Sequence, residues 1–110
     1  MTITAMHVGD AAVLHVAGRL DAITAPEFEK TCLQYLTPES RRMVLDFEGV
    51  EYISSAALRV ILMAGKKLHA SGGVLGLSTL HGIVKNTLEM AGFCTLFPVY
   101  ESTEAALEPR

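Results

Sequence analysis

Two short runs of alternating apolar and polar residues open the chain. The first covers residues 3–8 and the second residues 11–17, and Gly9-Asp10 lies between them. Alternation with a period of two is typical of a strand with one buried face, and a Gly-Asp pair between two such runs favours a tight turn. The pattern therefore predicts an antiparallel hairpin at the start of the chain.

The next segment changes from strand-like to helical spacing. Thr24 and Glu27 have the spacing of a capping box, and Pro26 lies in the first turn. The expected helix runs from about Ala25 to Leu36. Its predicted core face consists of Phe28, Cys32, Leu33 and Leu36. After a polar loop, the mostly apolar residues 43–47 predict a strand covered on both faces.

The second half of the chain continues the alternation of helix and strand. A helix is predicted from Ser55 to about Ala70, with Leu58, Ile61, Leu62, Gly65 and Leu68 facing the core. Residues 74–77 then predict a short buried strand. A further helical stripe is formed by Ile83, Thr87, Leu88 and Ala91, and Gly92 is expected to end that helix.

The last residues predict one more strand and one more helix. Residues 96–100 favour the strand, and Ser102 or Thr103 is the expected cap of a short helix that reaches Leu107. The predicted order is β-β-α-β-α-β-α-β-α. This order indicates an α/β fold in which helices pack against a mixed sheet.

Composition and charge narrow the class of protein. The chain has 110 residues, of which 50% are apolar and 19% charged, and this fits one globular domain over residues 1–110. The formal net charge of −3 gives no electrostatic reason to bind nucleic acid or an anionic membrane. The N-terminal residues do not resemble a signal peptide, and no segment approaches the ~20 apolar residues of a membrane span. We therefore expect a cytoplasmic protein.

Metal and cofactor chemistry have little support in the sequence. Cys32 and Cys94 belong to no CxxC pattern and are interpreted as small apolar residues. The histidines at positions 7, 15, 69 and 81 lack the spacing of a metal site. The glycines form neither of the common phosphate-binding loops. We expect no metal and no cofactor.

The stretch YISSAAL, residues 52–58, places two serines between a predicted strand and a predicted helix. The pattern alone favours a helix cap, in which the hydroxyl of Ser54 or Ser55 accepts a hydrogen bond from a free backbone N–H and stabilises by ~1 kcal/mol. Phosphorylation is the second interpretation, because a helix N-terminus attracts phosphate and small neighbours let a partner approach. A nucleophile elbow is disfavoured, since it needs glycine two residues before and after its serine. We therefore expect that the protein is not an enzyme.

Several segments together resemble the STAS-domain anti-sigma factor antagonists, which are bacterial partner-switching regulators. The segments are residues 18–22 with 24–26, residues 44–47 with Val50, residues 53–60, and residues 88–93 with Leu96 and Phe97. The resemblance implies a STAS-like α/β domain that, when unphosphorylated, binds a serine-kinase anti-sigma factor of the histidine-kinase-like ATPase type. It further implies that phosphorylation of a serine at the helix start releases the protein and that a PP2C-type phosphatase restores it.

The resemblance also implies site residues, with one departure from the family pattern. Many members have Asp-Ser-Ser-Gly-Leu here, and an alignment without gaps puts Ser54 on the Asp, Ser55 on the first Ser and Ala56 on the phosphoacceptor. Ser55 is the predicted phosphorylation site because it is the nearest hydroxyl, and Ser54 is the alternative. The predicted partner surface consists of Gly18, Arg19, Leu20, Asp21, Ser54, Ser55, Ala56 and Ala57. For Asp21, a plain turn-forming role fits the sequence equally well.

Other functions stay open at this point. One interpretation of the departure is that the protein has lost phosphoregulation and only binds its partner. Such a protein matches a constitutive STAS subunit of a larger assembly, for example a lipid-transport ABC system. A small serine hydrolase is a minor alternative.

Overall fold

The elements of the chain alternate between strands and helices, as a computed structural model of residues 1–109 describes them. They are β1 (Thr2–Val8), β2 (Ala11–Leu20), α1 (Ala25–Tyr35), β3 (Arg42–Ile53), α2 (Ser55–Ala70), β4 (Val74–Ser78), α3 (Gly82–Met90), α4 (Phe93–Leu96), β5 (Val99–Tyr100) and α5 (Thr103–Ala106). The mixed α/β class is confirmed. The predicted order is correct except for α4, which the sequence reasoning did not include.

The strands form one sheet in the order β1-β2-β3-β4-β5. β1 is antiparallel to β2, whereas β2, β3, β4 and β5 run parallel to one another. The predicted hairpin is confirmed, and Gly9 supplies its turn with a φ of 62°, a value that glycine adopts without strain. Because β2, β3 and β4 are parallel, their carboxyl ends meet at one edge of the sheet. The helices α1, α2 and α3 begin near that edge.

The main core lies between one face of the sheet and the helices α1, α2 and α3. Alternate residues of the central strands point into it, which follows from the period of two in a strand. The fully buried large side chains in this core include Leu14, Met43, Leu45, Phe47 and Leu77 from the sheet and Phe28, Ile61, Leu68 and Leu88 from the helices. A smaller cluster of Val13, Val44 and Ala106 lies on the opposite face, under α5.

Helix α1 begins where the sequence predicts, but its start is built differently. Pro26 lies in the first turn as expected. The hydroxyl of Thr24 makes no capping hydrogen bond, because it accepts one from the Asp21 N–H at 2.9 Å and donates one to the Arg19 carbonyl at 2.8 Å. The predicted capping box is therefore wrong. The predicted stripe is also too wide, since Leu33 is exposed while Phe28 and Cys32 are buried.

Helix α2 has the predicted bounds, and the later elements deviate more. On α3 the buried residues are Val84 and Leu88. The predicted stripe is therefore correct at Leu88 and wrong at Ile83 and Ala91, which are exposed. Gly92 has a φ of 81° and ends α3 as expected. The chain then forms α4, in which the Phe97 N–H donates to the Phe93 carbonyl at 2.9 Å. This extra turn delays the last strand, which begins at Val99 and not at residue 96.

The final helix and the burial of Cys32 agree with the sequence reasoning. Ser102 caps α5, and its hydroxyl accepts a hydrogen bond from the Ala105 N–H at 3.0 Å. Cys32 is buried in the core, and burial raises the pKa of its thiol to about 12. Among residues 1–109, no helix combines the length and the apolar character that crossing a bilayer requires.

Candidate partner-binding and phosphorylation site

The two segments of the predicted site lie side by side at the carboxyl edge of the sheet. In the parallel pairing of β2 with β3, Leu20 is opposite Ile53 and Arg19 is opposite Tyr52. One residue further, the Ser54 N–H donates a hydrogen bond to the Leu20 carbonyl at 2.8 Å. This bond ties the end of β2 to the start of α2. The structure thus brings residues 18–21 and 54–57 together.

Ser54 occupies the N-cap position of α2, but its hydroxyl does not cap the helix. The backbone there is extended, with φ −104° and ψ 170°, and the Ser54 carbonyl accepts the first helical bond from the Leu58 N–H at 3.0 Å. The Oγ atom is shielded from solvent and has no hydrogen-bond partner within residues 1–109. The cap interpretation is therefore correct about the position of Ser54 and wrong about the bond that its side chain makes.

Ser55 is the first residue of α2, and its side chain is exposed. It lies where the free N–H groups and the positive end of the helix dipole favour a negative charge. Ala56 is half-buried beside it, and Ala57 is completely buried. Of the two serine hydroxyls, the one on Ser55 is therefore the one that a second protein can reach.

Two residues of the predicted partner surface do not lie on a surface. Leu20 and Ala57 are both 0% exposed, because the strand alternation and the helix periodicity turn them into the main core. Gly18 has a φ of 96°, and a Cβ there would come within 3.1 Å of the Met1 Cα. Glycine at this position thus lets the backbone of Met1, just before β1, approach β2. Arg19, Asp21, Ser55 and Ala56 are left as side chains that a partner can touch.

Arg19 and Asp21 lie close to each other at the end of β2. The Arg19 guanidinium lies over the Tyr52 ring, 4.3 Å from its centre, and the Arg19 Nε is 3.8 Å from an Asp21 carboxylate oxygen. Stacking on an aromatic ring restricts an arginine without removing its charge from solvent. The edge of the site therefore carries the positive charge of Arg19, whose position is restricted by the Tyr52 ring, and the negative charge of Asp21.

Asp21 also forms the turn that leads into α1. Its Oδ1 accepts hydrogen bonds from the Ile23 N–H at 3.0 Å and the Thr24 N–H at 3.1 Å. The bond from the Thr24 backbone is the main cause that lowers the pKa of the Asp21 carboxyl below its usual value. The turn-forming role of Asp21 is confirmed. Its contact with a partner stays a prediction.

Sequence reasoning missed two features next to this site. The first is Ile23, whose side chain is 88% exposed on the turn that Asp21 holds. The second is an open groove of about 680 Å³ between α1 and α2, which Ala22, Ala25, Pro26, Ala56, Arg59 and Met63 help to line. The signal for Ile23 was a large apolar residue inside a predicted loop. The groove carries no sequence signal of its own, because it depends on how two helices pack.

Two histidines outside the predicted site have close polar partners. His15 Nδ1 lies 2.6 Å from an Asp46 carboxylate oxygen, and His81 Nε2 lies 2.7 Å from the Glu48 carbonyl oxygen. Within residues 1–109, no group of three or more His, Cys, Asp or Glu side chains is arranged to hold a metal ion.

Comparison with known proteins identifies the family. The family model for the STAS domain matches residues 2–106. The chain belongs to the STAS domain family. BtrV of Bordetella bronchiseptica, which is assigned as an anti-sigma factor antagonist, is 34% identical over 106 residues, covering 96% of this STAS chain and 91% of BtrV. The resemblance found in the sequence is thereby confirmed.

Solved structures show the same STAS fold at lower identity. A protein of Thermotoga maritima, also assigned as an anti-sigma factor antagonist, has a TM-score of 0.88 at 24% identity, covering 96% of this chain and 91% of that chain. The anti-sigma factor antagonist SpoIIAA in its unphosphorylated form has a TM-score of 0.84 at 16% identity, covering 96% of this chain and 93% of that chain. The phosphorylated form of SpoIIAA from Bacillus has a TM-score of 0.76 at 15% identity, covering 96% of both chains.

Proposed function

We propose that this STAS protein is an anti-sigma factor antagonist that is switched by phosphorylation of Ser55. In its unphosphorylated form it binds a serine-kinase anti-sigma factor of the histidine-kinase-like ATPase type in the cytoplasm. Phosphorylation releases it, and a PP2C-type phosphatase makes it competent to bind again. The name of BtrV supports the antagonist role. The existence of SpoIIAA in both forms supports the compatibility of this fold with a phosphate.

The observation that carries the proposal is the different placement of two adjacent serines. The Ser55 hydroxyl is exposed at the start of α2, beside the end of β2. The Ser54 hydroxyl is one residue earlier and is shielded from solvent. A kinase must bring the γ-phosphate of ATP into line with the hydroxyl that attacks it, so an accessible hydroxyl is required. Ser55 meets this requirement without any local unfolding.

The chemistry of the switch changes charge and not fold. The Ser55 Oγ attacks the γ-phosphorus of ATP, the bond to the bridging oxygen breaks, ADP leaves and the hydroxyl proton passes to a base of the kinase. The phosphoserine carries about −1.5 to −2 charge at neutral pH. At the first residue of α2 this charge is favourable for the helix. Against a partner that approached the half-buried Ala56, the same charge must be buried or repelled, so the complex dissociates.

Intact-mass spectrometry with serine variants tests the proposal. The protein is mixed with Mg-ATP and the kinase that copurifies with it from the source cells. We expect a single addition of ~80 Da on the wild type and on Ser54→Ala, because phosphorylation adds one phosphoryl group. Ser55→Ala should show no addition. Ser102→Ala is the matched control, since Ser102 is a serine at the start of a helix outside the site.

The opposite outcomes are equally clear. Loss of phosphate from Ser54→Ala together with its persistence in Ser55→Ala would move the site to Ser54. Persistence in the variant with both serines replaced would refute the whole assignment. A stable complex whose mass never changes would support a constitutively bound STAS subunit, as in a lipid-transport ABC system. Ester hydrolysis that Ser55→Ala abolishes would support a hydrolase.

A further inference from the structure

Ile23 is a large apolar side chain that the fold holds in water. It is 88% exposed on the turn between β2 and α1. The turn is fixed by hydrogen bonds from the Ile23 and Thr24 N–H groups to the Asp21 carboxylate and by the bond from the Ala25 N–H to the Asp21 carbonyl at 2.9 Å. The Thr24 hydroxyl adds a bond to the Arg19 carbonyl. The backbone beneath Ile23 is therefore ordered, and its side chain does not fold back on the protein.

Single exposed apolar residues are common on protein surfaces, so exposure alone does not select Ile23. Its neighbours do. The residue before it, Ala22, lines the groove between α1 and α2, and the other wall of that groove begins at Ala56, next to Ser55. On the inner side, the bond from Ser54 to Leu20 fixes the position of the turn relative to α2. Ile23 is thus adjacent along the chain to one wall of the groove and Ser55 to the other wall, and we call Ile23, the groove and Ser55 together the switch surface.

We propose that Ile23 is the apolar anchor of the switch surface and inserts into an apolar pocket on the anti-sigma factor. This inference rests on the proposed function and names the chemistry by which the same partner is recognised. A β-branched side chain on an ordered turn loses little conformational freedom when it is buried, so most of the gain from removing it from water is kept. Anchors of this kind dominate binding when a ring of near-neutral contacts surrounds them.

The rim around the anchor also describes the partner. Glu29 and Arg59 line the groove, and Arg19 and Asp21 lie at the end of β2, so both signs of charge are present. A strongly basic or strongly acidic surface would meet a like charge at this rim. The complementary surface on the anti-sigma factor is therefore an apolar pocket with polar groups of both signs around it. The size of residue 23 then sets which pocket fits.

Calorimetric titration of the unphosphorylated protein tests the anchor. The titrant is the purified kinase that phosphorylates the wild type in the mass-spectrometric assay. We expect Ile23→Ser to raise the Kd roughly 10- to 30-fold and Ile23→Val to raise it less than about threefold. The matched control is Met90→Ser. Met90 is equally exposed, at 89%, but lies at the end of α3, which packs chiefly on β3 and α4.

The outcomes separate the anchor from the proposed function. If wild type and Ile23→Ser bind equally well and both are released by phosphorylation, the anchor is overturned and the switch at Ser55 stands. If Met90→Ser weakens binding as much as Ile23→Ser, general surface hydrophobicity is responsible and the anchor is again overturned. If the wild type itself neither binds a kinase nor gains phosphate, the proposed function fails and the anchor falls with it. Circular dichroism of each variant verifies that the fold is retained.

Discussion

The unpartnered hydroxyl of Ser54 leads to a stability test in which two physical accounts predict opposite signs. Replacing a serine that caps a helix by alanine costs about 0.5–2 kcal/mol. The Ser54 Oγ, however, is shielded from water without a hydrogen bond inside residues 1–109. A buried hydroxyl in that state costs the folded protein about 1–3 kcal/mol of lost solvation. We therefore expect Ser54→Ala to leave the free energy of unfolding unchanged or to raise it by up to about 2 kcal/mol.

Urea unfolding followed by circular dichroism measures this change, provided that the m-value stays constant. The chain contains its own positive control, because the Ser102 hydroxyl accepts a bond from the Ala105 N–H at 3.0 Å. Ser102→Ala should lower the free energy of unfolding by about 1 kcal/mol. Ser55→Ala changes an exposed side chain and should stay within about 0.5 kcal/mol. If Ser54→Ala lowered the free energy of unfolding as much as Ser102→Ala does, the reasoning would be refuted, since the Ser54 hydroxyl would then cap α2 in solution.

Two further predictions concern the core and the sheet. In Gly65→Ala the new Cβ would clash with the ring of Phe97. The overpacking should cost about 1–3 kcal/mol, which exceeds the helix-propensity gain of about 1 kcal/mol. Urea unfolding should show the net loss of stability, and adding Phe97→Leu should recover it. For Asp46, burial raises the pKa, but hydrogen bonds from the Glu48 N–H and His15 outweigh this effect and hold the pKa of the carboxyl below its usual value. The folded state then binds fewer protons than the unfolded state, so Asp46 stabilises above the unfolded pKa and that contribution is lost as the pH falls through the folded pKa. Asp46→Asn should flatten the acid fall of stability below pH ~4, and an unchanged pH profile would contradict the pairing.

The parts of the fold that sequence predicts well are those set by local periodicity. The hairpin follows from strict alternation around Gly9, and α2 follows from a long stripe of apolar residues. The wrong assignment of Ile83 to the core face of α3 has a different origin. Ile83, Val84 and Leu88 are all apolar, and only the position of the sheet decides which of them it buries. Helix α4 was missed because a single turn is too short to show a period.

The site was predicted in outline and not in detail. Parallel pairing of β2 with β3 places residues 18–21 beside residues 54–57, as the resemblance implied. The burial of Leu20 and Ala57 was not anticipated, since a motif gives residue types without saying which way each side chain points. The same limit applies to the Ser54 hydroxyl, whose lack of a bond depends on one side-chain rotation. Ile23 lies between the two matched segments, residues 18–22 and 24–26, so the motif itself does not mark it.

The hydrogen bond from Ser54 to Leu20 joins two segments that are far apart along the chain. Neither segment forms the switch surface alone, and the parallel strands that bring them together pair only after a long loop has closed. An unfolded or misfolded chain therefore contains the sequence YISSAAL but does not form the switch surface. A partner that recognises the switch surface therefore binds only folded molecules. Under the proposed function, a misfolded copy neither captures the anti-sigma factor nor receives phosphate from ATP, so recognition by the partner selects folded copies of the regulator.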